Sequence, residues 1–562
     1  MSRRTEARAR YSLFDKTAAG DAQASMPGVQ PFSDYAELND EERTLPPWAT
    51  LETNEWLLDG TRTIFPDDMA SAFTGVWSAE KSGADGAFGT PPVLTVAFSE
   101  AHTSAGITLI FSEGTGDWCD RLTIRWSGKD GGTLAEVEYR PDRANYFCAK
   151  QVLDYYGLRI TFHSANRPGR YLKLSGVRYG VLMELGGSRL ISCRVLEEVD
   201  RVSAEVRVNT MTLRMHAAGG EFDLLDLTGA YILFQQRQRV EVSELLDGVK
   251  LPMGTFYLDE PRSDADDTVT LSCIDLVGVM GDTEYLGGYW PDGIPAERLV
   301  AGIMASAGME GDYELSGVYT GVVVRGYLPV CTHREALQQV AFVLGAAVDC
   351  ARSDKIKIVP PSTAEPKAVP TGRKAVGHTQ RQDPLITGVE VYVHSYTRSD
   401  SATKLLDEPC KAGTRLVKFT SPAAGLSCTG AVIAESGVNY AKLTVAAAGA
   451  VVLTGYTYTD STSLAGSVYM EDLPANAKIN VKVLDACTLS QDPQALARRV
   501  YDDDQRRVVD VGDVILADEE AGDPVTLGNS GGKALTGVAE QLDIDLTGGF
   551  IAGITVRGGE AT

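Results

Sequence analysis

The chain has 562 residues, 44% of them hydrophobic, and a formal charge of −24. That length exceeds what one core serves and suggests about three to five domains. The acidic balance speaks against a nucleic-acid reader, which turns a basic face to phosphate, and no apolar run approaches the roughly 18 residues that span a bilayer.

The chain opens Met1-Ser2-Arg3-Arg4 and stays charged through Arg8 and Arg10, with no apolar segment behind, so no signal peptide is expected and synthesis in a cytoplasm is. Residues 1–45 are polar and without a sustained period, and end at Leu45-Pro46-Pro47; they read as an arm or linker. From Trp48 the pattern becomes short alternating runs between Gly, Pro and Asp turns. Leu94–Phe98, Ile107–Phe111, Leu122–Trp126, Leu158–Phe162 and Tyr171–Leu174 are the clearest. Apolar and polar residues alternate as in half-buried strands, so residues 46–180 are expected to form a β-sandwich.

A second β-rich block, 181–290, has Ala204–Val208, Tyr231–Phe234 and Gly254–Leu258 as its clearest strands. Helices follow. Ile294–Ala307 places Leu299, Ile303 and Met304 on one face and stops at Gly308. Thr332-His333-Arg334-Glu335 is a capping box ahead of a stripe of Leu337, Val340, Ala341 and Leu344. Lys355–Val359 returns to strand, and the prolines from 360 to 370 punctuate a linker, closing an α/β segment at 291–384. Residues 385–485 are β-patterned and rich in small residues, as a small inserted β-domain would be. Residues 486–562 supply a last helix from Pro493, with proline tolerated in its first turn, and closing strands at 508–509, 514–516 and 551–556. The fold class is therefore mainly β and multidomain, α+β in its second half. With the sandwich ending at Gly180, deletion of 1–180 is expected to leave a folded remainder.

The search for chemistry returns weak signals. Gly528-Asn529-Ser530-Gly531-Gly532 matches G-x-S-x-G, but a nucleophile elbow needs a helix after the serine, Lys533–Val538 reads as strand, and no histidine lies downstream. A flexible hairpin turn accounts for the string better. The same segment lacks the first glycine and the Ser or Thr of a phosphate loop. His102, His163, His216, His333, His378 and His394 never fall at metal-binding spacing, and nine cysteines without a C-x-x-C pair suggest neither zinc nor a disulfide framework. Glu136 with Glu138, Asp264 with Asp266 and Asp267, and Asp502-Asp503-Asp504 read as solvated edge or turn residues. No catalytic residue, metal or cofactor is expected, and the chain reads as a non-enzyme.

From about residue 182 the order of elements resembles the central hub proteins of phage baseplates. The strings that carry it are Gly254–Pro261, then Val269–Leu276, where a strand delivers Asp275 to a short helical turn, and the helix ending Ala307-Gly308-Met309. Gly326–Leu337, Gly345–Cys350, Lys355–Ile358, Asp510–Asp513 and Leu546–Phe550 follow in order. The resemblance implies a homotrimer whose barrel domains form a ring joining the tail tube to the tip. It implies as partners a tail tube or distal tail protein and tail-tip, spike and tape-measure proteins, and as location a virion assembled in the bacterial cytoplasm. Tyr156–Gly180 resembles the last strands of a galactose-binding-like jelly roll. Such modules bind sugars through exposed aromatic rings, and Trp77, Trp118 and Trp126 are the candidates by residue type. A host-glycan adhesin and a wall-degrading tail enzyme are the alternatives to a structural hub.

Overall fold

The computed structural model describes residues 5–14, 16–39, 52, 75–112, 115–216, 237–246, 249–265, 268–473, 475–484, 489–528 and 533–560. Its first strand departs from the expected arm. Thr5–Phe14 (β1) lies between two strands of the largest sheet, with Ala7, Ala9 and Tyr11 buried in its core. Alternation at 7, 9 and 11 is the period of a half-buried strand, diluted in sequence by the arginines at 8 and 10 that fall between.

The chain then leaves that sheet for the sandwich. Lys16–Asp21 (α1) and Gln23–Ser25 (β2) pack on it, followed by Val76–Lys81 (β3), Val93–Phe111 (β4), Cys119–Ser127 (β5), Thr133–Tyr139 (β6), Asn145–Ala165 (β7) and Tyr171–Arg178 (β8). Their order is β3-β8-β4-β7-β5-β6, with β2 added beside β4. The runs expected at 94–98 and 107–111 are one long strand, bent where its register with β7 shifts around His102 and Ser104; bulges of this kind let a strand change direction within one ladder. Trp126, Phe111, Phe162, Ile107 and Leu109 fill the sandwich core.

Gly180–Gly186 (β9) returns to the large sheet and pairs with β1, from Phe14 opposite Gly180 to Arg8 opposite Gly186. The sandwich is thus inserted between two adjacent strands of one hairpin. This corrects the reading of 1–45 as an arm and of the sandwich as an N-terminal appendage: removing 1–180 would strip β1 from the sheet.

Leu190–Glu198 (β10), Thr210–His216 (β11), Arg239–Leu246 (β12), Val249–Ala265 (β13) and Thr268–Ile274 (β14) continue the sheet. Its path runs Thr379–Gln382, Val508–Ile515, Ile551–Glu560, Ala534–Asp545, β10, β11, β14, β13, β12, β1, β9, with Pro524–Gly528 paired to Ala534–Asp545 and Lys367–Val369 paired in turn to Pro524–Gly528. The segment from residue 371 to the chain's end therefore joins the N-terminal strands through β10, where Val195 lies opposite Ile544. One core, from Ala7 to Val556, serves both halves.

A second core gathers the helices Leu276–Val279 (α2), Ala296–Ser306 (α3), His333–Leu344 (α4) and Pro493–Asp504 (α5). On α3 Leu299, Ile303 and Met304 are buried as expected. On α4 the Thr332 hydroxyl accepts from the Glu335 amide while the Glu335 carboxylate accepts from the Thr332 amide. Gly345, in the left-handed region at φ +72°, ends that helix, and the Ala346 amide reaches back to the Ala341 carbonyl at 2.9 Å. This core draws on residues on both sides of 291–384, whereas Lys367–Val369 and Thr379–Gln382, inside that window, belong to the large sheet. Ala204–Val208, expected as a strand, forms a bend and an irregular segment outside any sheet, with Val206 and Val208 against the helical core; Tyr231–Phe234 lies outside the described residues. Residues 388–484 hold the paired strands Gly388–Arg398 and Gly449–Tyr469 and a small core of their own around Val417, Leu443 and Leu453.

Candidate functional site

Polar groups meet where the large sheet joins the helical unit. Directly after β14 comes Asp275, whose buried carboxylate accepts from the Gly278 amide at 2.9 Å and the Asn209 amide at 3.0 Å. Asp275 thereby caps α2 and ties it to the residues before β11. Burial lifts its pKa to about 7, although both amides favour the ionised form. One residue before its end, β10 contributes Glu197. Arg352 Nε donates to Glu197 Oε1 at 2.8 Å, and its Nη2 donates to the Glu519 carbonyl at 2.8 Å. Burial pushes Glu197 up and the Arg352 guanidinium pulls it back. Arg352 holds φ +49°, a region that costs a side-chain-bearing residue on the order of 1–3 kcal/mol, and its contacts on two sides fix it there. The Ser203 hydroxyl donates to the Ala346 carbonyl at 2.7 Å, and Gln338 Nε2 donates to the Ser203 carbonyl at 2.7 Å. Every one of these bonds runs between the sheet's strands or loops and the helical unit. The arrangement has no nucleophile beside a base; what it does is hold two cores at a fixed angle.

A second feature is an apolar outer face. On Val508–Ile515, the residues between the buried ones point outward, leaving Val511 and Ile515 exposed, and Ile551 stands directly opposite Ile515. Val376, in the segment that runs beside this strand, is fully exposed. Thr379–Gln382 ends the sheet with all four side chains exposed. His378 Nδ1 and Gln380 Nε2 hold this segment to buried Asp510 at 2.5 and 2.8 Å.

The three tryptophans divide. Trp126 is 0% exposed and Trp77 3%, so neither offers a ring face to a sugar. Both sit at inward positions, Trp126 on β5 and Trp77 on β3, where it meets Phe32 edge to face at 5.4 Å and carries Lys173 Nζ at 5.2 Å from its ring centre. Their assignment as stacking platforms is corrected on that ground: large rings at inward strand positions supply core area. Trp118 is half-buried, and its indole N–H donates to the Pro141 carbonyl at 3.2 Å.

Sequence reading missed a buried ionic cluster in the sandwich. Lys173 Nζ lies 2.5 Å from Glu52 Oε2 and 2.7 Å from Asp117 Oδ2, all three nearly solvent-free. Arg167 Nε donates to Asp117 Oδ1 at 3.1 Å. Burial pushes the Asp117 pKa up, but Lys173, Thr115 and Arg167 more than offset it, leaving the carboxyl below its ordinary value. Lys173 alternates with Leu172 and Leu174 as a surface lysine of a strand would, so no signal in the sequence marks it as buried.

The remaining candidates stay apart. Ser530 lies outside the described residues; Gly528 and Ala534 on either side of it pair across a hairpin, and a strand follows at Ala534. Glu138, on the edge strand β6, meets Arg121 at 2.9 Å and Arg140 at 3.3 Å. Asp502, Asp503 and Asp504 fall in the last turn of α5 rather than after it, Asp502 with Arg498 at 3.0 Å and Asp504 with Lys482 at 3.0 Å. Asp266 and Asp267 lie outside the described residues. His102, His378 and His394 meet Asp21, Asp510 and Asp460 respectively, and His163 and His333 meet the hydroxyls of Thr123 and Thr283. Among the described residues no three His, Cys, Asp or Glu side chains converge to hold a metal ion, and no helix is long and apolar enough to cross a membrane.

No family model matches the chain and no curated protein does. Among solved structures it is similar to a tail protein from Neisseria meningitidis MC58, at 9% identity and TM-score 0.39 over 67% of this chain and 93% of that one. It is similar to prophage tail protein gp18 from Listeria monocytogenes EGD-e, at 11% identity and TM-score 0.37 over 68% of this chain and 92% of that one. It is also similar, at 6% identity and TM-score 0.33 over 66% of this chain and 74% of that one, to the E. coli c3393 protein, a type VI secretion component described as structurally similar to T4 tail proteins gp27 and gp5. Two of these three are thus tail proteins and the third a type VI secretion component, each over about two-thirds of this chain.

Proposed function

We propose that the chain is a structural, non-enzymatic component of a phage tail or tail-like particle, the hub that joins the tail tube to the tip as a trimeric ring. The observation that carries this reading is the single sheet through both halves of the hub-like region, locked to the helical unit by Asp275 and by Glu197 with Arg352. A ring subunit must hold its two contact regions at a fixed angle for the ring to close, and a heterologous interface that does not close grows into a filament. The exposed apolar face at Val511, Ile515 and Ile551 and the exposed strand Thr379–Gln382 supply surface for a neighbour, and edges and apolar patches of this kind are normally covered in soluble proteins. The order of strings from Gly254–Pro261 to Leu546–Phe550 supports the same reading, with the tail tube or distal tail protein above and the spike below. The sandwich stands outside this plan. Of the three candidate tryptophans, Trp77 and Trp126 lie in its core and Trp118 keeps partial exposure. The testing experiment is co-purification of the chain with tail fractions, together with its mass in solution.

A further inference from the structure

Glu244 is a carboxylic acid in the wrong place for an ordinary strand residue. On β12 the inward positions opposite β1 are Val240, Val242 and Glu244, facing Tyr11, Ala9 and Ala7 in turn. Glu244 is 0% exposed, neither of its carboxyl oxygens makes a hydrogen bond of good geometry, the Glu6 amide being a weak contact only, and no described basic side chain forms an ion pair with it. A carboxyl so placed is far more costly ionised than neutral.

We propose that Glu244 is a pH-sensitive lock on strand β1: with the carboxyl neutral, β1 seats between β9 and β12, and once the carboxyl ionises that seating weakens and frees one of the two tethers of the sandwich. The neighbours of Glu244 agree with this. From β1, Glu6 adds like charge, while its own carboxylate lies 3.4 Å from Arg8 Nε. From β13 the residue opposite is Leu251, with exposed Lys250 one position along. From β10, buried Cys193 faces it, its thiol pushed up to about 12 by burial first and Glu244 second. Burial first and Glu6 next raise the Glu244 pKa to about 7, and the Glu6 amide pulls it back only in part. On β1 the residue directly opposite the acid is Ala7, whose methyl group offers it no counter-charge.

The direction follows from linkage. The folded state holds its proton up to about pH 7, whereas the unfolded strand releases it near the ordinary value of 4.5. The seating is therefore unpenalised in acid, weakens as pH rises through that window and bears the full penalty above about 7. The other tether, β9, runs directly on from β8, and Ala105 and Phe147 of the sandwich rest against the large core. Release of β1 would loosen the sandwich without detaching it.

The test is hydrogen–deuterium exchange on the full chain between pH 5.5 and 8.5, corrected for the intrinsic dependence of exchange on pH. Protection of residues 5–14 is expected to fall roughly thirtyfold across that range, while Tyr440–Val445 in the 388–484 region stays flat. Glu244→Gln and Glu244→Leu should each abolish the fall, the second serving if buried glutamine proves unstable. A flat wild-type profile, or the same fall in a folded Glu244→Leu chain, overturns the proposal.

Discussion

Arg352 and Glu197 lie 155 residues apart and meet at 2.8 Å, the one at 12% and the other at 1% side-chain exposure. The pair joins the end of β10 to the loop after Cys350, and so the large sheet to the helical unit. Arg352→Ala would leave Glu197 buried and unpaired, a loss of about 3–5 kcal/mol. The double variant Glu197→Met with Arg352→Met should recover most of it, because the cost comes from the orphaned charge. Thermal melts of the three proteins check this; equal midpoints for the single variant and wild type would show that the pair holds nothing.

The placement of β1 makes two shortened proteins behave differently. Replacing residues 15–179 with Asn-Gly would join Phe14 to Gly180 through a two-residue turn, the loop length that hairpin strands favour. This protein should elute from gel filtration as a folded species. Deleting 1–180 instead removes Ala7, Ala9 and Tyr11 from the core and should give aggregate. A well-folded 181–562 fragment would mean that β1 is dispensable.

Thr332→Ala removes half of the capping box on α4 and is expected to cost about 1 kcal/mol, read as a lowered melting midpoint. Glu335→Ala should act in the same direction, since each side chain satisfies the other's backbone amide.

Ser530→Ala should leave assembly and infectivity unchanged. The residues flanking it pair as a hairpin and the next element is a strand, which cannot supply the helix a serine elbow requires. Loss of infectivity with normal folding would reveal a nucleophile.

What could be read from sequence was local. The alternation at Leu122–Trp126, the capping box at Thr332 and the turn from β14 into Asp275 depend on neighbours within a few residues, and all three stand as read. What escaped depends on distant partners. The alternation at Ala7, Ala9 and Tyr11 looked like part of a polar arm because its pairing partners begin at 180 and 239. Trp77 and Trp126 could not be told from exposed rings, since a tryptophan on a strand has two faces to choose from and only the packed sandwich decides. Lys173 gave no sign of burial because its counter-charges, Glu52 and Asp117, lie 121 and 56 residues away.

The central claim is that this chain forms a trimeric ring on the tail axis. Its mass in solution by sedimentation, with a low-resolution image of the particle that contains it, tests that most directly. Three copies and three-fold symmetry on the axis are expected; a stable monomer within an assembled tail would overturn the trimeric ring.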